Sequence, residues 1–478
     1  MTGPRPIALG LPWPAPLWAT AAALIVGAVY ALSPITVWFG LAMALLLTCA
    51  GSGLPDRERR WVLSLLAVAL ILRVLVIAGL FLLADRDYDF PTFFGDEILA
   101  IRRSLSMRNT WLGIPIPPDH FSFAFDRGYG WTGYHYILAY LQVLLGPVPY
   151  GVHLFNAGLF LAGAVALHRM VRRTYGPLPA LGGLLVLLFL PSLFLWSISA
   201  LKESLYFFLM AMALVGTVKA VRAVNWSRRI LAIAVSVGAI GAISTIRSGA
   251  FVIVVFAIVS GFVARFITLR VWLFMAFLIF SSIVGRYLVT QSDIQDRMMG
   301  QLRRAAIIHL GNVRTPGYAY KLLDQRYHSE QYSHGLVSID SITMSTREAL
   351  RFVVRALISF VAVPLPWHTA SSSMLVFLPQ QIVWYALVVL AGAGFLAGLR
   401  RDALVTLILA GYIFAGAGVI ALNSGNVGSL VRLRDTVVPF VVWLSALGTV
   451  SLLLRLTSPC GVGPPEGGGG RGREIGEQ

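Results

Sequence analysis

The stretch DRERRWVLSLLAVALILRVLVIAGLFLLADRDYD, residues 56–89, decides the fold because it joins a basic cluster, a long apolar run and an acidic cluster. The apolar run, residues 61–84, is long enough to cross a bilayer, since a transmembrane helix needs about 20 apolar residues. Cytoplasmic loops of membrane proteins are rich in Lys and Arg, so the cluster at 56–60 predicts that this helix enters from the cytoplasm. Its other end then faces outward and is followed by three carboxylates, Asp85, Asp87 and Asp89.

The composition is that of an integral membrane protein. Of the 478 residues, 57% are hydrophobic and 12% are charged, and the mean hydropathy is +0.78. A soluble domain carries about 25% charged residues, so a soluble protein is excluded. The net charge of +17 comes from short Arg clusters between apolar runs, which set orientation in the bilayer, so no nucleic-acid partner is expected. The two cysteines, Cys49 and Cys460, give neither a disulfide framework nor a metal-ligand spacing.

Apolar runs of spanning length recur along the chain and predict an all-α polytopic membrane protein with about twelve transmembrane helices. The predicted spans are residues 15–32, 34–51, 61–84, 150–170, 178–196, 200–219, 229–244, 249–265, 270–289, 380–398, 403–421 and 434–455. Two further apolar stretches, 133–147 and 346–365, are predicted to lie on the outer membrane surface, because counting either as a span moves basic clusters to the outside. Arg73, near the middle of the third span, is expected to pair inside the bundle.

This topology places both termini in the cytoplasm and two long segments, about 85–149 and 290–379, outside. Long outer loops on a helical bundle are where a functional site is expected. The predicted parts of the chain are 1–60 (N-terminal end and two spans), 61–290 (main membrane module), 291–379 (outer loop with an interfacial helix), 380–456 (C-terminal spans) and 457–478 (disordered Gly/Pro-rich cytoplasmic tail).

Ionisable residues on the predicted outer side form the candidate site. Asp96 and Glu97 open the segment DEILAIRRSL, where the dipole of a helix N-terminus favours a carboxylate. Lys202 and Glu203 begin the sixth span, at a depth where ionisable groups are costly and usually functional. The structural alternatives are a solvated acidic loop and a Lys–Glu pair that only stabilises the bundle.

Arg432 and Arg434 also lie on the outer side, against the positive-inside trend. Arg is the side chain best suited to grip phosphate, although both residues could instead anchor a helix to lipid headgroups. Carboxylates, a Lys and an Arg pair together suit a lipid-linked phosphate that carries a sugar. Lys202, Arg432 and Arg434 would hold the donor phosphate as it leaves, and Asp96 would take the proton of an acceptor hydroxyl.

Several stretches resemble a known family. FGDEILAIRRSL (94–105) resembles the G-D-E-x-x-Y stretch in the first outer loop of GT-C glycosyltransferases, in particular glycosyltransferase family 39, the protein O-mannosyltransferase and aminoarabinose-transferase-like group. GYHYILAYLQVLLG (133–146) resembles the family's H-P-P-L-Y-Y helix, and RRTYG (172–176) resembles its R-R-x-x-G. LPSLFLWSISALKES (190–204) resembles the next stretch, and order and spacing match across about 95–220.

The resemblance implies a GT-C fold, with 61–290 as the catalytic membrane module. It implies transfer of a sugar from a polyprenyl-phosphate-linked donor, with inversion at the anomeric carbon, on the exoplasmic face. The family's first-loop acid falls on Asp96 and its second acid on Glu203, and Glu97 is the neighbour of the first. His135 and Tyr136 remain from the H-P-P-L-Y-Y helix and are assigned to the substrate pocket.

This chain departs from the family pattern at Ala100, which replaces the motif Tyr, and in lacking both prolines of the H-P-P-L-Y-Y helix. The acceptor, a glycan, a lipid or a protein, therefore stays open, as does a divalent cation as cofactor. A polysaccharide polymerase or ligase that uses a polyprenyl-diphosphate-linked glycan is the first alternative, since GSLVRLRDTVVPF (428–440) resembles bacterial polysaccharide polymerases. A lipid-linked glycan flippase is the second, but repeated halves are not seen. The expected location is the bacterial plasma membrane, with the site facing outward.

Overall fold

The computed structural model describes residues 15–83, 91–125, 133–247, 249–269, 271–313, 319–328, 342–365 and 378–457. These residues form nineteen α-helices and a short 3₁₀ helix, Gln325–His328, with no strand among them, which confirms the predicted all-α class. The acidic positions Asp85, Asp87 and Asp89 and the predicted tail after residue 457 lie outside the described residues.

The first ten helices lie between residues 15 and 222, and the tenth corresponds to the sixth predicted span. They are α1 (Ala15–Leu32), α2 (Pro34–Gly51), α3 (Asp56–Leu83), α4 (Gly95–Trp111), α5 (Pro118–Phe125), α6 (Gly133–Leu145), α7 (Gly151–Tyr175), α8 (Pro177–Phe189), α9 (Pro191–Ile198) and α10 (Glu203–Arg222). The others are α11 (Trp226–Ile246), α12 (Ala250–Leu269), α13 (Val271–Thr290), α14 (Ser292–Val313), α15 (Thr346–Ala362), α16 (Leu378–Arg401), α17 (Ala403–Asn423), α18 (Val427–Arg434) and α19 (Val438–Thr457).

Eight of the described helices are long and apolar enough to cross a membrane: α2, α3, α7, α10, α11, α16, α17 and α19. The pair α8 and α9 would make a ninth span, but it bends by 62° at Leu190. Leu190 is extended because the following Pro191 disfavours the helical region for it. The chain is therefore a multi-pass membrane protein. The predicted number of twelve spans would also need shorter apolar stretches of α1, α12 and α13 to cross, and it stays a prediction.

The two stretches predicted to lie on the membrane surface form α6 and α15, of 13 and 17 residues. Both are shorter than the about 20 residues of a typical span. In α15, the buried side chains Ala349, Phe352 and Ala356 recur at helical spacing and make one packed face. Their location at the membrane surface itself stays a prediction.

Four of the five basic clusters meet at one end of the helix bundle, which we call the basic end. Glu58 accepts hydrogen bonds from Arg172 at 2.5 and 2.8 Å. Arg222 pairs with Asp402, and Arg401 donates to the carbonyl oxygen of Tyr175 at 2.8 Å. The helix α10 has 20 residues, so it extends about 30 Å from Arg222 at this end to Glu203 at the opposite end.

Small residues let the C-terminal helices pack closely. A methyl group at Gly394 of α16 would overlap the carbonyl oxygen of Leu444 in α19, and one at Gly448 would overlap that of Leu390. Such close backbone approach between membrane helices is a common means of association where apolar burial gives no driving force. The helix α18 precedes α19 directly and packs against α17.

Arg73 pairs inside the bundle, as predicted from its place in the third span. Its guanidinium is fully buried and donates from Nε to Ser197 Oγ at 2.8 Å and from Nη2 to the carbonyl oxygen of Leu188 at 3.1 Å. The ring of Phe194 lies 4.8 Å from its Cζ. These contacts tie α3 to the bent pair of α8 and α9, and they leave Arg73 a structural residue.

Candidate functional site

Arg432 joins two predicted site acids at the end of the bundle opposite the basic end. Its Nη1 donates to Asp96 Oδ2 at 2.6 Å, and its Nε and Nη2 donate to Glu203 Oε1 at 3.1 and 3.0 Å. The contacts cross 336 and 229 positions of the sequence. The structure thus brings three of the predicted residues together, from α4, α10 and α18.

Local structure explains why Arg432 is held in this position. The helix α18 starts at Asn426, whose side-chain oxygen accepts hydrogen bonds from the backbone N–H groups of Gly428 and Ser429, as an N-cap residue does. The helix has only eight residues, so Arg432 lies in its last turn. Phe94, two residues before Asp96, stacks on Trp196 at 4.3 Å between ring centroids and fixes the start of α4 beside α9.

The two carboxylates bound by Arg432 differ in exposure. The Asp96 side chain is 66% exposed, whereas the Glu203 side chain is 8% exposed. Among the described residues, Glu203 Oε2 has no hydrogen-bond partner, and Arg247 Nη2 lies 3.8 Å from Oε1. A soluble molecule can therefore reach Asp96, while the buried Glu203 holds Arg432 in place from the interior of the bundle.

Glu97 lies on another face of α4 and has a different environment. Its side chain is fully buried, and its Oε1 accepts a hydrogen bond from the backbone N–H of Phe94 at 3.0 Å. Its Oε2 lies 3.9 Å from His153 Nδ1, which donates to the carbonyl oxygen of Ile198. Burial raises the pKa of Glu97 to about 7. Of the two adjacent acids, Asp96 is thus the one that contacts Arg432, and Glu97 secures the start of α4.

Lys202 and His135 border the same region. Burial lowers the pKa of Lys202, and the positive charge of Arg247 lowers it further. Burial also lowers the pKa of His135 to about 4, with added repulsion from Arg103 and Lys202, so His135 is neutral at pH 7. Tyr136 packs differently, with its ring stacked near Trp111 at 6.1 Å between centroids. The substrate-pocket role of His135 and Tyr136 stays a prediction.

Arg434 points away from the carboxylates that Arg432 binds. Its buried guanidinium donates from Nη1 to Gln381 Oε1 at 2.7 Å and from Nη2 to the carbonyl oxygen of Val363 at 2.5 Å. Its Cζ also lies 5.1 Å from the ring centre of Trp384. The structure therefore separates the predicted Arg pair: Arg432 contacts α4 and α10, and Arg434 contacts α16. The phosphate-binding role of Arg434 stays a prediction.

Sequence reasoning missed three residues of this region: Arg247, Trp196 and Asp435. The Trp196 ring lies 5.5 Å from the Cζ of Arg432, and its Nε1 donates to Asp435 Oδ2 at 2.7 Å. Burial raises the pKa of Asp435 to about 7. Arg247 could have been found by the signal that identified Arg432, because it is an Arg in a predicted outer turn. Asp435 gave no such signal, since its neighbours in space come from distant helices.

The charges of the cluster favour an added anion. Three cations, Arg432, Arg247 and Lys202, lie beside the carboxylates Asp96 and Glu203. The two other nearby acids, Glu97 and Asp435, have pKa values raised to about 7, so they balance this positive charge only in part. Among the described residues, no group of three or more His, Cys, Asp or Glu side chains could hold a metal ion, and the divalent cation stays an open prediction. The arrangement can bind a phosphate through its cations and accept a proton on a carboxylate.

No protein-family model, curated protein or solved structure matches this chain. The resemblance of residues 95–220 to GT-C glycosyltransferases therefore stays an expectation from sequence motifs.

Proposed function

We propose that the protein is a membrane glycosyltransferase that moves a sugar from a polyprenyl-phosphate-linked donor to an acceptor hydroxyl. The observation that carries the proposal is the bridge of Arg432 between Asp96 and Glu203, beside the further cations Arg247 and Lys202. This cluster lies at the ends of candidate membrane spans, where the phosphate of a lipid donor would lie. The positive-inside rule supports its placement on the outer face.

The cations would stabilise the phosphate that leaves in the reaction. In the reaction the acceptor oxygen bonds to the anomeric carbon, and the bond from that carbon to the phosphate oxygen breaks. The electron pair stays on the phosphate, so the charge that develops there is stabilised by fixed cations such as Arg432 and Arg247. Phosphate is a weak base, so the leaving oxygen needs no general acid, unlike the leaving oxygen in most glycosidases.

Asp96 would act as the base that takes the proton of the acceptor hydroxyl. A donor phosphate would compete with Asp96 for the Nη1 side of the Arg432 guanidinium, and the freed carboxylate would then take the acceptor proton. Glu203 is buried and binds Arg432 through two other nitrogens, so it can keep the guanidinium oriented during the exchange. The exposure of Asp96 suits an acceptor that comes from the aqueous side, whether a glycan, a lipid headgroup or a protein.

The test separates donor binding from transfer. Purified protein in phosphatidylcholine nanodiscs is titrated with undecaprenyl phosphate, and transfer is measured from a panel of polyprenyl-phosphate sugars to a mixed glycan and peptide acceptor pool. Asp96→Asn should keep undecaprenyl phosphate binding and lose about 10²–10⁴-fold in transfer rate, the usual cost of removing a general base. Arg432→Gln should weaken binding of undecaprenyl phosphate, and Arg434→Gln tests whether the second predicted phosphate ligand, which has other contacts, takes part.

Near wild-type transfer by Asp96→Asn, with an inactive Glu97→Gln, would assign the base to the other acid. Transfer by both variants at the wild-type rate would refute a base at this helix start.

A polysaccharide polymerase or ligase acting on a polyprenyl-diphosphate-linked glycan is the second candidate. The observation in its favour is Arg247, the third cation of the cluster, because a diphosphate carries more negative charge than a monophosphate diester. Tighter binding of undecaprenyl diphosphate than of undecaprenyl phosphate, together with an active Asp96→Asn variant, would favour this candidate over the first.

A further inference from the structure

A cavity of about 470 Å³ lies at the basic end of the bundle, between α7, α10 and α11. It follows α10 from Met212 to Arg222, roughly 14 to 29 Å along the helix axis from Glu203, and its cations lie at the far end. Its volume is within the range of ligand pockets, about 300–1,000 Å³. The distance separates this cavity from the cluster around Arg432, so it needs a ligand of its own.

Five cations line the cavity: Arg169, Arg173, Lys219, Arg222 and Arg228. Arg222 pairs with Asp402, and Arg169 donates to Ser52. Within the part of the chain that the structure describes, the other three form no ion pair with an acidic side chain. A pocket with three uncompensated cations attracts an anion, and phosphate is the group that such clusters bind.

The rest of the cavity is apolar. Met170, Met212 and Val215 belong to its lining, as does Leu231, which is 66% exposed on α11. Trp226, at the start of the same helix, is 70% exposed. In a membrane protein, apolar side chains exposed on a spanning helix face lipid chains, and Trp is enriched at the bilayer surface. The ligand should therefore have an apolar part beside its anionic part.

We infer that this cavity binds the headgroup of an anionic phospholipid, with its phosphate held by Arg173, Lys219 and Arg228 and its acyl chains against α11. A soluble phosphate compound would use the cations but would leave the apolar lining without a partner. Basic pockets between spanning helices at the cytoplasmic surface are suited to anionic lipid headgroups. The inference does not depend on the proposed transferase activity.

The test compares two variants with the same change in charge. Protein purified in neutral detergent is titrated with dioleoyl-phosphatidylglycerol, and bound lipids are counted by native mass spectrometry. One Lys or Arg near a membrane surface contributes about fivefold in affinity, so R173Q/K219Q/R228Q should raise the dissociation constant on the order of 100-fold. The control R57Q/R60Q/R400Q removes three exposed cations that do not line the cavity, and it should bind the lipid as the wild type does.

Equal loss of binding in both triple variants, or no loss in either, would overturn the inference. Binding of dioleoyl-phosphatidylcholine as tight as that of phosphatidylglycerol would also overturn it, because the headgroup charge would then be irrelevant. Displacement of the lipid by inorganic phosphate or glycerol phosphate at equal concentration would identify a soluble ligand instead. Lys219→Gln alone, with an expected loss of about fivefold, keeps the test decisive if the triple variant does not fold.

Discussion

The bonds of Arg432 allow a quantitative test of the site. Arg432→Met keeps a long side chain and removes the guanidinium. Glu203, 8% exposed, would then lose its hydrogen bonds at 3.1 and 3.0 Å. Its remaining ion pair within the described part of the chain is with Arg247, at 3.8 Å. Removing one partner of a buried ion pair costs about 3–5 kcal/mol. Because Arg432 is itself 25% exposed and Arg247 remains, we expect the free energy of unfolding to fall by about 3 kcal/mol, the lower end of that range.

The bond to Asp96 should contribute much less. The Asp96 side chain is 66% exposed, and exposed ion pairs contribute about 0.2–1 kcal/mol. Asp96→Asn should therefore lower the free energy of unfolding by less than about 1 kcal/mol. This makes its expected loss of transfer a chemical effect and not a loss of folded protein.

A double-mutant cycle isolates the two bonds. Free energies of unfolding are measured for the single and double variants by reversible unfolding in mixed detergent and dodecyl sulfate micelles, followed by far-ultraviolet circular dichroism. We expect a coupling energy of about 2 kcal/mol between Arg432 and Glu203, since contacting residues couple by about 0.5–3 kcal/mol. The cycle of Arg432 with Glu97 is the control and should give a smaller coupling, because the two side chains interact only through their charges and form no hydrogen bond. A coupling with Glu203 no larger than the coupling with Glu97 would refute the bridged geometry.

Three further results are expected. Burial raises the pKa of Glu97 from 4.5 to about 7. Between these two pH values the folded protein keeps a proton that the unfolded chain releases, so the free energy of unfolding falls as the pH rises through this range. Glu97→Gln should flatten this part of the plot of unfolding free energy against pH, and an unchanged slope would contradict the burial argument. Gly394→Leu should prevent folding, because its side chain would overlap the carbonyl oxygen of Leu444, and Gly392→Leu, where a Cβ meets nothing within 4 Å, should fold as the control; monodisperse gel filtration of the Gly394 variant would be the contrary outcome. In a cysteine-free background, a membrane-impermeant maleimide applied to intact cells should label Leu112→Cys and spare Arg400→Cys, and the reverse pattern would invert the topology.

The site was in part predictable because some of its signals are local. An acid at a helix start, as at Asp96, and an Arg in an outer turn, as at Arg432, are visible in a few residues of sequence. Arg434 shows that residues close in sequence can contact different helices. Successive residues of a helix are about 100° apart, so positions 432 and 434 point about 200° apart and reach different neighbours. The same geometry separates Asp96 from Glu97 and was available from the sequence once a helix was assumed.

The sequence by itself determined the class of the protein. A membrane span needs only about 20 consecutive apolar residues, so hydropathy along the chain was enough for an all-α, multi-pass protein. The distribution of Lys and Arg also sufficed to predict that the basic clusters share one end of the bundle. Contacts of Glu58 with Arg172, of Arg222 with Asp402 and of Arg401 with Tyr175 join four of the five clusters.

Only the tertiary structure decided which charges meet. Arg432 and Asp96 are in contact although they are 336 positions apart in the sequence. The cavity at Lys219 is likewise formed by three helices. Which helices become neighbours depends on packing such as that of Gly394 against Leu444, and no short stretch of sequence contains that information. Asp435 was missed for this reason, because it gains its environment from residues that are distant in the chain and adjacent in the fold.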